Sequence, residues 1–218
     1  MRATSACTLV LALFLSLAVA AAEEPVVRVK VSGPYVLGRA DAPLTFVEFS
    51  DYECSYCQQF HARAFERIKR EFVETGKLRY VVRDYPLPMH RTAVPAARAA
   101  RCAAEQGHYW EMRHALFTAP ERLEVDALVE IGQRVGADPA PLRACITSTR
   151  QDEGIKRDIE QGNKVGVNAT PAFVIGRTLG EGVEGTLFVG SQPYEFYESR
   201  IRALLSSAPP KSGGPSRP

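Results

Sequence analysis

Residues 44–57 read LTFVEFSDYECSYC, and two patterns meet inside this stretch. Leu44 to Phe49 is a nearly continuous apolar run, the pattern of a strand buried on both faces of a mixed or parallel sheet. From Cys54 onward the period changes. Phe60, Ala64, Phe65, Ile68 and Phe72 recur at helical spacing until Thr75-Gly76 supplies a C-terminal stop. Leu78 to Val82 is again strand-like, so strand, helix and strand form a βαβ unit with a right-handed crossover. The two cysteines of CSYC fall where the first strand gives way to the helix.

Upstream, Val26 to Val31 (VVRVKV) alternates and is rich in β-branched residues, which predicts an edge strand ended by Gly33-Pro34. Downstream, the chain between His90 and about Val165 turns alanine-rich and helical. Helices are expected from Pro95 to Gly107, over Tyr109 to Phe117, over Val125 to Val135 and over Asp152 to Lys164. Tyr109, Trp110 and Phe117 are read as the core of this helical part. Strand character returns at Ala172 to Ile175 and Thr186 to Val189, with Gly176 to Gly185 as a glycine-rich link of unassigned role. A last helix runs from Tyr194 to Leu205. The expected division is a signal segment at 1–22, a sheet domain at 23–89 and 166–205, a helical insertion at 90–165 and a disordered tail at 206–218.

The signal segment sets the compartment. Arg2 precedes the apolar run Thr8 to Ala22, and Ala20-x-Ala22 offers a cleavage site before Glu23. At 15 residues the run is shorter than the roughly 20 that span a bilayer. Export permits disulfides, and the four cysteines left after cleavage, Cys54, Cys57, Cys102 and Cys145, allow three pairings. The formal charge of +2 over 218 residues, with no clustered cations, argues against a nucleic-acid partner.

Cys54 opens a helix, where unpaired backbone N–H groups and the positive end of the helix dipole stabilise a thiolate. It is expected to be the exposed attacking sulfur, with Cys57 on the same face as the buried resolving one. Zinc is the rival use of CxxC. It needs two further ligands, and only His61 stands near, with no second CxxC or CxxH pair. Glu48 is a carboxylate in a buried strand, which suits a proton relay for Cys57 with a raised pKa, unless it pairs with a basic neighbour or reaches solvent at the strand end. Glu53 brings a negative charge beside Cys54 that opposes its ionisation, and is expected to be solvated. Tyr52 and Tyr56 flank the sulfurs and offer apolar surface to an unfolded substrate. His90 reads as structural or surface rather than catalytic.

The runs FVEFSDYECSYC, YPLPMH, RCAAEQGHYWEMRHALF and NATPAF together resemble the DsbA-like branch of the thioredoxin fold, the exported thiol-disulfide oxidoreductases. The resemblance covers roughly Tyr35 to Leu205. It implies an α/β thioredoxin-like mixed sheet flanked by helices and interrupted by an all-helical insertion. It also implies that Cys54 and Cys57 are the redox pair, that Glu48 is the acid beneath them, and that Pro171 is a cis-proline bordering the sulfurs, with the Thr170 backbone left to pair with a bound peptide. With Cys54 and Cys57 assigned to each other, Cys102 and Cys145 remain as a structural disulfide, and the resemblance points to the same pair.

The implied activity is dithiol-disulfide exchange on reduced or misfolded exported proteins by a monomer that needs no cofactor. Reoxidation would use a quinone-linked membrane partner. The Ser55-Tyr56 dipeptide departs from the family's proline-histidine and glycine-proline versions, which leaves isomerase and reductase activities open. A non-catalytic metal- or peptide-binding module is the alternative of another class.

Overall fold

The computed structural model describes residues 25–119 and 123–207, so the expectations for residues 1–22 lie outside the described part, as does all of the expected tail beyond residue 207. Six strands form one mixed sheet: β1 Val26–Lys30, β2 Val36–Leu37, β3 Leu44–Ser50, β4 Leu78–Asp84, β5 Ala172–Leu179 and β6 Gly182–Val189, in the order β1-β6-β5-β3-β4-β2. β3 and β4 are parallel, with Glu48 opposite Val82, and the other pairings are antiparallel. Every residue of β3 and β4 is buried. That burial explains the apolar run read as a central strand.

The crossover between them is α1, residues 55–73. Its α-helical turns Ser55–Phe60 and Glu66–Ile68 are interrupted by two π-type segments, His61–Phe65 and Lys69–Val73. Each π segment widens the turn by one residue. Phe60, Ala64, Phe65, Ile68 and Phe72 still pack on Phe46, Tyr80 and Phe173 of the sheet. Gly76, at φ 73°, ends the helix run by adopting the left-handed conformation.

Between β4 and β5 the chain is helical: α2 Ala93–Ala104, α3 Tyr109–Thr118, α4 Val125–Arg134, α5 Pro139–Ile146 and α6 Asp152–Lys164. α5 carries no amphipathic signal long enough to expect from sequence. It begins at Asp138, whose side chain accepts a 3.0 Å hydrogen bond from the Ala140 N–H, with proline in the first turn. The helices share a core that reaches under the dithiol, because Tyr52, Cys54 and Cys57 pack in one cluster with Met112, Leu116 and Phe117. A disulfide joins Cys102 of α2 to Cys145 of α5. The final helix, α7 Tyr194–Ser206, extends one residue into the stretch expected to be tail.

The glycine-rich link is strand rather than loop. β5 and β6 form a hairpin in which Gly176 lies opposite Gly185. A Cβ on Gly176 would stand 1.9 Å from the Glu184 carbonyl oxygen, and one on Gly185 would stand 2.2 Å from that of Ile175. The backbones approach too closely there for any side chain.

Candidate active site

Cys54 is the N-cap of α1, with extended backbone (φ −72°, ψ 118°) and a carbonyl that accepts the Cys57 N–H at 3.0 Å and the Gln58 N–H at 3.1 Å. The side chain thus meets the open end of the first helical turn, the outcome of placing CSYC directly after a buried strand. Cys54 is less exposed than expected, at 6%, while Cys57 is fully enclosed. Both are free thiols. The Cys54 thiol donates to the Thr170 carbonyl at 3.3 Å, and the Cys57 sulfur accepts the Asp51 N–H at 3.5 Å. The Thr170-Pro171 peptide bond is cis, and the Thr170 carbonyl meets the dithiol from a segment 116 residues away.

The two sulfurs have opposite acidities. A hydrogen bond from the Cys57 thiol is the largest influence on Cys54. Together with the Thr170 side chain and the backbone N–H groups of Tyr56 and Cys57 it overcomes burial and lowers the Cys54 pKa to about 5. Burial pushes Cys57 well above the ordinary thiol value, and the charges of Cys54 and Glu48 push it the same way. One sulfur is a thiolate at neutral pH and its neighbour holds a proton.

Glu48 is wholly buried and paired. Its Oε2 accepts from Arg113 of α3 and from the Tyr80 hydroxyl. The carboxylate therefore takes the basic-neighbour arrangement rather than standing alone in an apolar strand. Sequence reading missed Arg113, yet a signal existed: it lies four residues from both Tyr109 and Phe117, on the stripe already assigned to the core.

Asp51 is the second omission. Its carboxylate accepts from the Glu53 N–H (2.8 Å), the Leu87 N–H (2.7 Å) and His90 Nδ1 (2.8 Å), tying the turn before Cys54 to the segment after β4. His90 thus joins the surroundings of the site. Glu53 is not freely solvated as expected: Oε2 accepts from the Thr92 N–H (2.8 Å) and hydroxyl (2.6 Å), which anchors it at the start of α2. Tyr52 differs too. It is buried at 1% exposure and its ring lies 4.8 Å from Phe117, so of the two tyrosines only Tyr56, 60% exposed, faces solvent. His61, the nearest extra zinc ligand, turns Nε2 toward His114 Nδ1 at 3.0 Å. Among the described residues no three His, Cys, Asp or Glu side chains are grouped to hold a metal.

A low-pKa thiolate at a helix N-terminus, a buried protonated partner one turn on and a backbone carbonyl beside the pair define a dithiol-disulfide exchange site on a thioredoxin-like sheet. The chain belongs to the thioredoxin family: a family model described as Thioredoxin matches residues 30–184. Its fold is that of the DsbA-like thiol-disulfide oxidoreductases. The Wolbachia pipientis alpha-DsbA1 structure superposes with a TM-score of 0.70 at 24% identity, over 78% of this chain and 89% of that one. A thioredoxin-like oxidoreductase from Silicibacter pomeroyi DSS-3 gives 0.66 at 26% identity, over 79% and 92%. In sequence, a protein of Mycolicibacterium gilvum (strain PYR-GCK) named Na(+)/H(+) antiporter NhaA 1 is 36% identical over 144 residues, 65% of this chain but 23% of that protein. The chain thus spans about a quarter of that relative's length. No described helix is long and apolar enough to cross a membrane.

Proposed function

We propose that the protein is an exported thiol-disulfide oxidoreductase that forms disulfides in other proteins. The observation that carries this reading is the contrast between Cys54, ionised and at the edge of the site, and Cys57, enclosed and protonated. A substrate thiolate attacks Cys54 of the Cys54-Cys57 disulfide, and Cys57 leaves and takes up a proton. A second substrate thiolate then attacks the substrate sulfur of the mixed disulfide and releases Cys54 as a thiolate. Because that thiolate is stabilised, the reduced enzyme is favoured and its disulfide is readily given away.

Thr170 and Pro171 border the sulfurs and present a carbonyl to a bound peptide, while Tyr56 supplies exposed apolar surface. The reading includes action as a monomer in an oxidising compartment after cleavage before Glu23, with a membrane protein as reoxidant. Oxidised protein mixed with a reduced, unfolded substrate should introduce disulfides, and Cys54→Ser should abolish this. A Cys54-Cys57 equilibrium in glutathione buffers as reducing as thioredoxin's, about −270 mV, overturns the oxidase direction in favour of a reductase. Export is tested separately, by fractionating cells and sequencing the N-terminus of the mature chain.

A further inference from the structure

A surface cavity of about 740 Å³ opens between β1, the turn after it, β4 and α6, large enough for a small ligand. It lies on the side of the sheet away from α1, since Tyr80 of β4 packs on Phe65 of α1 and Arg83, three residues on, points to the opposite face. None of Asp51, Tyr56, Thr170 and Pro171, which surround the dithiol, lines it. Its walls are cationic out of proportion to the chain. The formal charge over all 218 residues is +2, whereas the cavity gathers Arg28, Lys30, Arg83, Arg101, Arg157 and Lys164 against Asp158 and Glu160. These cations are scattered from position 28 to position 164, so no basic run announces them in the sequence.

Arg83 and Arg101 form the floor, with side chains 4% and 7% exposed. Arg83 Nε donates to Gln161 Oε1 at 2.8 Å, and its Nη2 donates to the Ser32 carbonyl at 2.7 Å. Arg101 Nε donates to Asp84 Oδ2 at 2.5 Å and Nη2 to Asp158, while the centre of the Tyr35 ring lies 5.0 Å from its guanidinium carbon. At the rim Arg28 pairs with Glu184. Lys30, Arg157 and Lys164 are exposed there and pair with no carboxylate among the described residues.

Gly154, in the first turn of α6, leaves room for two of these groups. Its backbone is helical and not left-handed, so conformation does not call for glycine. The requirement is one of space, because a Cβ there would stand 2.1 Å from Arg101 Nη1, with Arg157 Nη2 3.8 Å from the same point. Nη1 is also the nitrogen of Arg101 left without an acceptor among the described residues, since Asp84 and Asp158 take the other two. A buried guanidinium from α2 and an exposed one from α6 therefore converge over one glycine with N–H donors to spare.

We infer that the cavity is a binding site for a small polyanion, a molecule with two or more phosphate or carboxylate groups. Arg101 and Arg157 take one anionic group over Gly154, and Lys30 and Lys164 hold the rest at the rim. Guanidinium forks match the paired oxygens of both kinds of group. Like charges gathered without counter-ions repel one another, and an anion that enters relieves that repulsion. Arginines fixed at the bottom of a concavity favour a ligand that enters it over a flat membrane surface, which would meet only the rim. The site goes beyond the dithiol reaction and does not depend on it.

The test is calorimetric titration of the oxidised protein with pyrophosphate and with citrate in low-salt buffer at neutral pH. One or both should bind saturably with a Kd below about 1 mM, and binding should weaken as salt is added. Arg157→Glu combined with Lys164→Glu should weaken it at least about tenfold while the melting temperature stays unchanged. Arg63→Glu combined with Arg70→Glu, the same change of charge on the exposed side of α1, should leave it as in the wild type. In the wild type, pyrophosphate should shift the NMR amide signals of Gly33 and Gly154, which line the cavity, and not that of Thr170. Failure of both anions to saturate, equal weakening by the two double variants, or amide shifts confined to other parts of the chain each overturns the site. Retention on phosphatidylglycerol vesicles without binding of either small anion would assign these cations to a membrane surface instead.

Discussion

Arg113 and Glu48 meet beneath the dithiol with side chains each 1% exposed, a guanidinium from a helix closing on a carboxylate from the central strand. Taking both charges out of water is costly, and their attraction and shared hydrogen bonding offset that cost only while both are present. Arg113→Leu should therefore destabilise the fold by about 3–5 kcal/mol, because it strands a buried carboxylate. Glu48→Leu combined with Arg113→Leu should lose no more than about 1–3 kcal/mol, chiefly through the Tyr80 hydroxyl left without its acceptor. Urea unfolding of the two variants separates these outcomes.

The thiolate at Cys54 should be visible directly. Titrated by its ultraviolet absorbance, the reduced protein should show one thiol ionising near pH 5. A lowered pKa stabilises the reduced state in full above the ordinary thiol value of 9.0, and that advantage is lost as pH falls through about 5. Near pH 7 it amounts to about 2–3 kcal/mol, equivalent to about 60 mV. The unfolding free energy of the reduced protein relative to the oxidised should therefore rise between about pH 5 and 9, and turn over above 9, where the raised Cys57 pKa acts in the opposite sense.

His90 offers an independent report on the same charge. Burial acts to lower its pKa, but the hydrogen bond and charge of Asp51, with further help from Glu53 and the Cys54 thiolate, raise it above 6.5. The stabilisation this gives is complete below 6.5 and disappears as pH rises through the raised value. Oxidation removes the thiolate, so the His90 imidazole, followed by NMR, should titrate lower in the oxidised protein than in the reduced one. Equal values in the two states would contradict the placement of His90 within reach of the dithiol.

The Cys102-Cys145 disulfide closes 43 residues, which in the chain-entropy picture is worth about 4 kcal/mol. Cys102→Ala combined with Cys145→Ala should lower the melting temperature accordingly. The Cys54-Cys57 equilibrium in glutathione should not move.

Tyr56 is exposed beside the pair. Tyr56→Ser should slow exchange with a reduced unfolded protein while leaving exchange with glutathione unchanged, since the tripeptide is too small to use the ring. Equal slowing of both would assign Tyr56 to the dithiol itself rather than to substrate contact.

Features set by local sequence were legible in advance. The β3, α1 and β4 unit is written in a change of period from continuous to helical and back, and the position of CSYC at the junction fixes the exposed backbone N–H groups beside Cys54. What depended on contacts between distant segments was not legible. Asp51 and His90 are 39 residues apart and each is unremarkable by itself. Tyr52 looked like a surface aromatic because the ring that covers it, Phe117, belongs to a helix whose docking no local pattern specifies. The π segments of α1 leave the apolar spacing nearly intact, so periodicity passes over them. Arg113 was the readable exception, a charge on an apolar stripe.

The facing glycines of the β5-β6 hairpin bear on how the gene can vary. At positions 176 and 185 every substitution, even to alanine, drives a methyl group into a carbonyl of the opposite strand. A saturation library selected for folded protein should return glycine alone at both codons, whereas Gly180 at the hairpin tip meets nothing within 4 Å and, at φ 54°, lies where asparagine is also at ease. Tags or inserted peptides therefore belong at the tip, and a fusion placed four residues earlier would split the sheet beside the strand that carries Glu48.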